Sequence, residues 1–179
     1  MIAPHDIVEL KFDQCLIPKG NLLGSVGDGF KIAMKTLDVF RMSVGAAAVG
    51  IGQAAFDAAV NYSKKRVQFG TSIAKFQAIQ LKLAEMATEL DAARALVYRA
   101  ALLKDRGDSN VSRFASMAKF YATEIGFRAV DQGLQIHGGM GVIQGSLVER
   151  LYREIRALRI YEGTSEIQKL IIANSFLKE

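Results

Sequence analysis

Between Phe76 and Val97 the chain reads FQAIQLKLAEMATELDAARALV. Apolar residues recur here in steps of three and four, which is the spacing of one face of an α-helix. They are Phe76, Ile79, Leu83, Met86, Leu90, Ala93 and Val97. The spacing predicts a long helix that starts near Ser72, carries the apolar seam of a helical bundle and ends near Gly107, which suits a left-handed cap.

Two further long helices are predicted on either side of this one. The first covers about Phe30–Lys65, and its middle is rich in Ala and Gly, so that a neighbouring helix can approach closely. The third starts at Ser109 or Asn110 and ends before Gly138. No proline follows Pro18, which permits uninterrupted helices of this length.

Two shorter helices are predicted near the C-terminus. Each opens with a capping box, in which a serine and a side chain three residues later satisfy the first free N–H groups. The boxes are Ser146–Glu149 and Ser165–Gln168. The expected fold class is all-α: an up-and-down four-helix-type bundle of long helices with short C-terminal helices, preceded by a short β segment.

The β segment is predicted from the opening residues. Ile7–Phe12 alternates polar and apolar residues as a strand does, and Gln14–Pro18 could supply a second short strand. Two short strands are marginal on their own, so we expect the edge of a sheet that belongs to something larger. The chain therefore divides into residues 1–25 and a helical domain of residues 26–179.

Composition limits the classes of function. The chain has 179 residues and is 50% apolar, enough for a sizeable core, but no apolar run predicts a transmembrane helix. The start lacks the pattern of a signal peptide and the lone Cys15 cannot form an internal disulfide, which indicates a reducing compartment. The net charge of +5 is spread along helices without a nucleic-acid motif, and no His/Cys spacing predicts a metal site.

Arginines recur every third residue in the fourth helix and therefore drift around it. They are Arg150, Arg153, Arg156 and Arg159. We expect a solvated surface with ion pairs to Glu149 and Glu154, and phosphate binding is the alternative.

The candidate catalytic residue is Glu162, in the stretch Tyr161-Glu162-Gly163-Thr164-Ser165. It precedes a helix start, where free N–H groups suit an anion, and Gly163 lets backbone or ligand come close. A carboxylate that is partly desolvated there is a better proton acceptor, which suits a catalytic base. The alternative is an ordinary loop glutamate in water.

Four motifs stand in order along the chain. They are Arg66-Val67-Gln68-Phe69-Gly70, Phe76-Gln77, Gln135-Ile136-His137-Gly138-Gly139-Met140-Gly141 and Tyr161-Glu162-Gly163-Thr164-Ser165-Glu166. Separated by helices of the expected lengths, they resemble the C-terminal half of the acyl-CoA dehydrogenases, flavoenzymes that oxidise acyl-CoA thioesters between the α and β carbons. The resemblance implies that residues 1–25 are a remnant of the family's middle β domain and residues 26–179 its helical bundle. It also implies that the isolated chain is inactive.

The resemblance further implies which residues bind FAD. In the family the arginine of the first motif meets the FAD pyrophosphate, and the Gly-Gly segment touches the adenosine end, usually of the FAD held by the neighbouring subunit. The residues so implied are Arg66, Phe69, Gln77, Gln135, Ile136, His137, Gly138, Gly139, Thr164, Ser165 and Glu166. Many relatives have Gln in place of Glu166, and an ordinary helix stop is the alternative for Gly138-Gly139.

The resemblance places the acyl-CoA substrate beside Asp38, Arg41 and Gly163. For Asp38 and Arg41 an ion pair between neighbouring turns of one helix is the alternative. Some family members carry the base on the first helix, immediately before the arginine, where this chain has Phe40. The base is therefore assigned to Glu162, which argues against the isovaleryl and long-chain subtypes.

The implied reaction divides the work between protein and cofactor. Glu162 removes the α-proton while the β-hydrogen leaves as hydride to the flavin, giving a trans-enoyl-CoA, and the electrons pass to an electron-transfer flavoprotein. The family forms homodimers or homotetramers, and the implied location is the bacterial cytoplasm or the mitochondrial matrix. Two alternatives stay open: a non-catalytic helical oligomerisation or scaffold module, and an acyl-CoA oxidase.

Overall fold

The computed structural model describes residues 8–177, most of which are helical. The α-helices of this range are α1 (Gly29–Lys65), α2 (Gln77–Asp105), α3 (Val111–His137), α4 (Leu147–Leu158) and α5 (Ser165–Leu177). Short 3-10 turns cover Lys19–Asn21, Ile73–Lys75 and Gly138–Val142. The predicted all-α class, with three long helices followed by two short ones, is confirmed.

Helices α1 and α3 form the centre of the bundle, and α2 packs against both. Their backbones come close because small residues line the contact. A Cβ added to Gly126 of α3 would lie 2.6 Å from the carbonyl oxygen of Ala48 in α1. A Cβ added to Gly52 of α1 would lie 2.7 Å from Leu90 of α2. The Ala/Gly-rich middle of α1 therefore serves close helix packing, as predicted.

Helix α1 is also apolar enough to be tested as a membrane span. Within residues 8–177 it alone has the length and composition to cross a bilayer, with a mean hydropathy of 1.3 over its most apolar window. However, 44% of that window is buried inside the protein. Its buried residues Ala48 and Ala55 lie against Gly126 and Gly133 of α3. These contacts are typical of the core helix of a bundle.

Helix α2 starts five residues later than predicted from Ser72. The Ser72 hydroxyl accepts a hydrogen bond from the Ala74 N–H at 3.3 Å and caps the 3-10 turn Ile73–Lys75, so the α-helix begins only at Gln77. Ser72 also donates to the carbonyl of Ser63 at 2.8 Å, which ties the start of α2 to the end of α1.

A small hairpin that the sequence analysis missed joins α1 to α2. Strands β1 (Val67–Gln68) and β2 (Thr71–Ser72) pair antiparallel. Phe69 and Gly70 form the turn between them, with φ of 51° and 78°. Two consecutive residues with positive φ are typical of the tight turns that match the twist of a hairpin.

The opening segment forms no strand between residues 8 and 18, so the predictions for Ile7–Phe12 and Gln14–Pro18 are wrong for this range; Ile7 itself lies outside the described residues. Leu10 and Phe12 are 74% and 77% exposed. An isolated strand gains little, because its stability comes from hydrogen bonds and side-chain contacts with a partner strand. No such partner stands in residues 8–177.

Helix α4 begins at the predicted capping box. The Ser146 hydroxyl accepts a hydrogen bond from the Glu149 N–H at 3.3 Å, while the Glu149 carboxylate accepts from Gly145 N–H instead of Ser146. Glu149 also pairs with Arg153, as predicted for this surface. The apolar face of α4 is buried through Leu151 and Ile155.

Candidate active site

The chain between α4 and α5 makes a tight turn at Glu162 and Gly163, with φ of 57° and 90°. A left-handed backbone is uncommon for a residue with a Cβ and costs on the order of 1 kcal/mol or more, so its surroundings must hold it. A Cβ added to Gly163 would lie 2.5 Å from the side-chain nitrogen of Gln168. The turn therefore requires glycine at 163 and strains the backbone at 162.

The Glu162 side chain is half-buried. Its Oε2 atom is shielded from solvent and has no hydrogen-bond partner among the described residues. Buried polar atoms nearly always have a partner, so an oxygen without one is left free to meet a ligand or a proton. This arrangement differs from the alternative of a loop glutamate in open water, whose two oxygens would both be hydrated.

The helix cap at this turn is one residue earlier than predicted. The Thr164 hydroxyl accepts a hydrogen bond from the Ile167 N–H at 3.4 Å, so Thr164 occupies the capping position that the sequence assigned to Ser165. Ser165 is buried and donates to the Glu124 carboxylate of α3 at 2.7 Å. Tertiary contact with an acid thus replaces the local cap.

Glu124 joins the turn to α3 through a second partner. Arg159 donates to the same Glu124 oxygen at 2.9 Å and pairs with the other oxygen at 2.7 Å. Arg159, at the C-cap of α4, is thus ion-paired as predicted for these arginines, but its partner is Glu124 of α3 and not Glu149 or Glu154. Because Ser165 and Arg159 stand on either side of the turn, their shared contact with Glu124 anchors both ends of it.

Two fully buried side chains hold the carbonyl groups of the turn. Lys119 of α3 donates to the Gly163 carbonyl oxygen at 2.7 Å. Gln168 of α5 donates to the carbonyl of Glu162 at 3.0 Å and to that of Gly163 at 3.2 Å. The predicted capping box is therefore wrong for Gln168, because its amide oxygen accepts no hydrogen bond from a backbone N–H of the described residues. Both side chains have 0% exposure. The strained backbone is therefore fixed from α3 and α5 together.

Burial lowers the pKa of Lys119 to about 8, because a desolvated ammonium is less stable than a solvated one. The carboxylates of Glu124, Glu162 and Glu166 raise this pKa and the cation of Arg41 lowers it, but burial has the largest effect. Lys119 thus carries its charge at neutral pH, although burial lowers the affinity of its amine for the proton.

Asp38 and Arg41 form the ion pair that the sequence offered as an alternative. Their atoms lie 2.9 Å apart on one face of α1, and Ser112 of α3 donates to the same Asp38 oxygen at 3.1 Å. Arg41 is 6% exposed, and its Nε has no hydrogen-bond partner in the described part of the chain. The electrostatic effect of Arg41 on Lys119 brings this pair into the same charged cluster as the turn.

A second group of predicted residues lines a cleft of about 470 Å³ between the hairpin and the end of α3. The cleft is lined by Tyr62, Arg66, Gln68, Ile73, Ile136, His137, Gly138, Gly139 and Met140. His137 stacks on Tyr62 with ring centroids 4.4 Å apart, and its Nδ1 lies 2.7 Å from the Gly133 carbonyl oxygen. The structure thus brings the first and third motifs together.

The two glycines of this cleft leave open space. Gly138 caps α3 with a φ of 57°, as a helix stop does, but a Cβ added to Gly138 or Gly139 would meet no atom within 4 Å. Internal packing therefore does not account for both of them. Room beside a backbone, next to an arginine that forms no ion pair among residues 8–177, suits a phosphate-bearing ligand.

Six predicted cofactor residues do not line the cleft: Thr164, Ser165 and Glu166, which belong to the turn region, and Phe69, Gln77 and Gln135. Phe69 is 93% exposed at the hairpin turn and lies edge-on to Phe76 at 6.2 Å. Gln77 and Gln135 are exposed. Ile136, in contrast, is only 6% exposed and is mainly a core residue.

The N-terminus of α5 favours negative charge. Glu166 is exposed, and its pKa is lowered by a hydrogen bond from its own backbone N–H and by one from the Thr164 hydroxyl. Free N–H groups in the first turn of a helix have this effect on any anion placed there. No group of three metal-ligating side chains occurs in residues 8–177.

Sequence reasoning missed the residues that hold the turn from α3, chiefly Lys119 and Glu124. One signal was available for Lys119, which stands one helical turn from Ala115 and from Ala122, both fully buried. A charged residue on a face of small core residues indicates a buried charge with a specific partner. No comparable pattern marked Glu124.

Comparison with known proteins gives a consistent result. Residues 27–177 match the family described as acyl-CoA dehydrogenase, C-terminal domain. The chain is 51% identical over 177 residues to the mitochondrial short-chain specific acyl-CoA dehydrogenase of Sus scrofa, covering 99% of this chain and 43% of that protein. It is 50% identical over 177 residues to the caffeyl-CoA reductase-Etf complex subunit CarC of Acetobacterium woodii, covering 99% and 46%.

A solved structure agrees with these sequence matches. The acyl-CoA dehydrogenase of Bacillus anthracis, solved in complex with FAD, superposes with a TM-score of 0.85 at 36% identity. The match covers 93% of this chain and 32% of that one. The chain therefore spans less than half the length of the proteins that it matches.

Proposed function

Because the chain belongs to the acyl-CoA dehydrogenase family, whose C-terminal domain it carries, we propose that it takes part in the FAD-dependent α,β-dehydrogenation of acyl-CoA thioesters. In this proposal Glu162 is the base that removes the α-proton. The observation that carries it is the solvent-shielded Oε2 of Glu162, which has no partner in the described range and sits on a strained, firmly held backbone.

The chemistry that Glu162 performs follows from its surroundings. A half-buried carboxylate with one free oxygen can accept a proton from a carbon acid held beside it. The fixed turn holds that oxygen in one position, which favours a single reactive geometry. The Glu162 N–H belongs to the same turn, and a thioester carbonyl that accepted a hydrogen bond from it would be stabilised as negative charge develops on its oxygen.

The residues of the cleft fit the cofactor that the family uses. Arg66 would hold the pyrophosphate, because a guanidinium presents several donors to phosphate oxygens. Gly138 and Gly139 leave room for the adenosine end, with Gln135, Ile136 and His137 beside it, and Phe69 and Gln77 would lie along the cofactor. Thr164, Ser165 and Glu166 would meet the flavin from the α5 side. FAD, when bound, accepts the hydride that leaves the β carbon.

Asp38, Arg41 and Gly163 are proposed to face the acyl-CoA. Arg41 is buried within the charged cluster that includes Lys119, so its cation can contribute to orienting a polar part of the thioester. The ion pair with Asp38 holds the guanidinium in place and does not exclude this role.

The proposed partners follow from the family. We expect an electron-transfer flavoprotein as the acceptor, since one relative is named as part of an Etf complex. We also expect assembly as a homodimer or homotetramer, in a bacterial cytoplasm or a mitochondrial matrix.

Substitution Glu162→Gln tests the proposal. The amide keeps the size of the side chain but cannot accept the proton, so we expect turnover of butyryl-CoA with a dye acceptor to fall about 100- to 10,000-fold. The variant is made in the enzyme expressed from its complete natural reading frame. Bound FAD, measured by absorbance per subunit, should stay unchanged.

The control is Glu85→Gln, the same chemical change on the exposed surface of α2, which should leave turnover unchanged. Turnover by Glu162→Gln at the level of the unsubstituted enzyme would refute Glu162 as the base. Peroxide formation without a dye would assign the protein to the acyl-CoA oxidases. A purified protein with neither flavin nor turnover would favour the scaffold alternative.

A further inference from the structure

Lys119 is a buried charge that the proposed reaction does not use. Its side chain has 0% exposure in the middle of α3, and its ammonium donates to the Gly163 carbonyl oxygen at 2.7 Å. No carboxylate of the described residues lies within 4.0 Å of it, so it has no direct ion pair. The carboxylates that act on its charge, those of Glu124, Glu162 and Glu166, lie farther away than this.

Such a residue is costly to the fold. A buried ammonium without an ion pair loses hydration that one hydrogen bond to a neutral carbonyl does not replace. Methionine would fill nearly the same space without this cost. Packing alone therefore does not explain a lysine at position 119. Its hydrogen bond to the Gly163 carbonyl indicates its role.

That contact is with the backbone that carries Glu162. Glu162 has a φ of 57° and Gly163 one of 90°, a conformation that relaxes unless it is held. Gln168 of α5 also donates to the Gly163 carbonyl, at 3.2 Å, and to the Glu162 carbonyl, at 3.0 Å, but its donor is a neutral amide. A hydrogen bond from a charged donor is roughly twice as strong as one between neutral groups.

We propose that Lys119 is a positioning residue: its buried ammonium fixes the Gly163 carbonyl and thereby keeps the Glu162 carboxylate in the geometry that proton removal needs. This inference rests on the proposed role of Glu162. Lys119 acts through the turn and does not exchange the substrate proton.

The charged groups around Lys119 come from every side of this cluster. Arg41 faces it from α1, Glu124 from its own helix, Glu162 from the turn and Glu166 from α5. Three acids and one arginine therefore keep a net negative field around the ammonium. This field retains the charge at neutral pH in spite of burial, as the pKa of about 8 reflects.

The test compares Lys119→Met with Lys119→Gln in the FAD-loaded enzyme from the complete reading frame, with butyryl-CoA as substrate. Methionine removes the donor, whereas glutamine keeps a neutral one. We expect kcat to fall about tenfold or more in the methionine variant and less in the glutamine variant. KM and bound FAD should change little, and the thermal midpoint should not fall.

Ser116→Ala is the matched control. Ser116 is also fully buried on α3, one turn before Lys119, and its hydroxyl has no partner in the described part of the chain. Because its hydroxyl makes no hydrogen bond to the turn, this variant should keep the unsubstituted kcat. A loss equal to that of Lys119→Met would show that α3 is merely sensitive to substitution and would overturn the inference.

A double variant separates positioning from an independent effect. If Lys119 acts through Glu162, adding Lys119→Met to Glu162→Gln should lower the residual rate no further. A full, additive loss would overturn the inference, as would an unsubstituted kcat in Lys119→Met alone. Parallel loss of flavin, thermal midpoint and turnover in both Lys119 variants would assign the residue to folding.

The outcome for the proposed function is read separately. If the single Glu162→Gln variant keeps full turnover, the proposed base fails. If that variant is inactive and Lys119→Met behaves as the unsubstituted enzyme does, only the positioning role fails.

Discussion

At the scale of single residues, the candidate site depends on polar side chains that are buried in the fold. Lys119, Gln168 and Ser165 are all buried, and each one contacts the turn or anchors it. Buried polar groups cost stability unless they are hydrogen-bonded, and here the bonds go to the backbone of one strained segment. The stability cost of burying these polar groups is therefore concentrated at the segment where the proposed chemistry takes place.

The charge on Lys119 predicts how stability depends on pH. The pKa is 10.5 in the unfolded chain and about 8 in the folded one, so between these values the unfolded chain binds more protons. The free energy of unfolding due to Lys119 must then rise with pH from about 8 to about 10.5, and level off outside this window. We expect a gain of at most about 3 kcal/mol, since one pKa unit corresponds to about 1.4 kcal/mol.

Urea unfolding of the 179-residue chain and of its Lys119→Met variant, at several pH values from 7 to 10.5, measures this effect. Groups common to both proteins cancel in the difference. The stability of the lysine protein relative to the methionine variant should increase across the window. A difference that stays flat, or falls as pH rises, would show that burial does not weaken the proton affinity of Lys119.

Motifs in the sequence located the turn at Glu162, but they did not reveal contacts that only the tertiary fold makes. The turn at Glu162 could be located because a glycine and helix-cap residues follow it within six positions. Glu124 contacts Ser165 from 41 positions away, and no local pattern records such a partner. The same contact moved the cap from Ser165 to Thr164, because an acid in α3 took the serine hydroxyl.

At the scale of elements, the helices were predictable because their apolar periodicity and caps are local. The start of α2 was predicted five residues too early, and the strand predicted for residues 8–12 does not form. Ser72 caps a 3-10 turn because its hydroxyl also reaches the end of α1, a contact that periodicity does not contain. The alternation near Leu10 describes a strand that needs a partner, and the described residues supply none.

The close contact between α1 and α3 predicts that replacing Gly126 lowers the stability of the bundle. Because an added Cβ would lie 2.6 Å from the Ala48 carbonyl oxygen, a backbone atom that cannot rotate away, Gly126→Ala should force the helices apart. We expect a loss of about 1–3 kcal/mol in the free energy of unfolding. Urea unfolding measures it.

Gly50→Ala is the matched control for this prediction. Gly50 lies on α1, close to the same contact, but an added Cβ there would meet no atom within 4 Å. Alanine favours helix over glycine, so this variant should gain up to about 1 kcal/mol. Equal effects of the two substitutions would contradict the claim that close backbone approach requires glycine at position 126.

At the scale of the whole molecule, the predicted residues form two groups at different places in the bundle. One surrounds the turn before α5 and includes Glu162. The other lines the cleft between the hairpin and the end of α3 and includes Arg66 and His137. The motifs in the sequence named Glu162 for the first group and Arg66 and His137 for the second, but not Lys119 or Tyr62. The order of the motifs could not predict which of them meet, because that depends on how α1 and α3 cross.

This separation predicts that cofactor retention and proton removal can be lost independently. In the enzyme from the complete reading frame, Arg66→Met should reduce the FAD bound per subunit, since a phosphate partner is lost, while turnover per bound FAD changes little. Glu162→Gln should lower the turnover per bound FAD and leave the amount of bound FAD unchanged.

Arg150→Met, which removes an exposed arginine from α4, serves as the control and should change neither quantity. Absorbance of the flavin gives the occupancy, and butyryl-CoA oxidation divided by that occupancy gives the turnover. If Arg66→Met instead abolished turnover per flavin at full occupancy, the cleft and the turn would form one catalytic unit, and their assignment to separate tasks would be wrong.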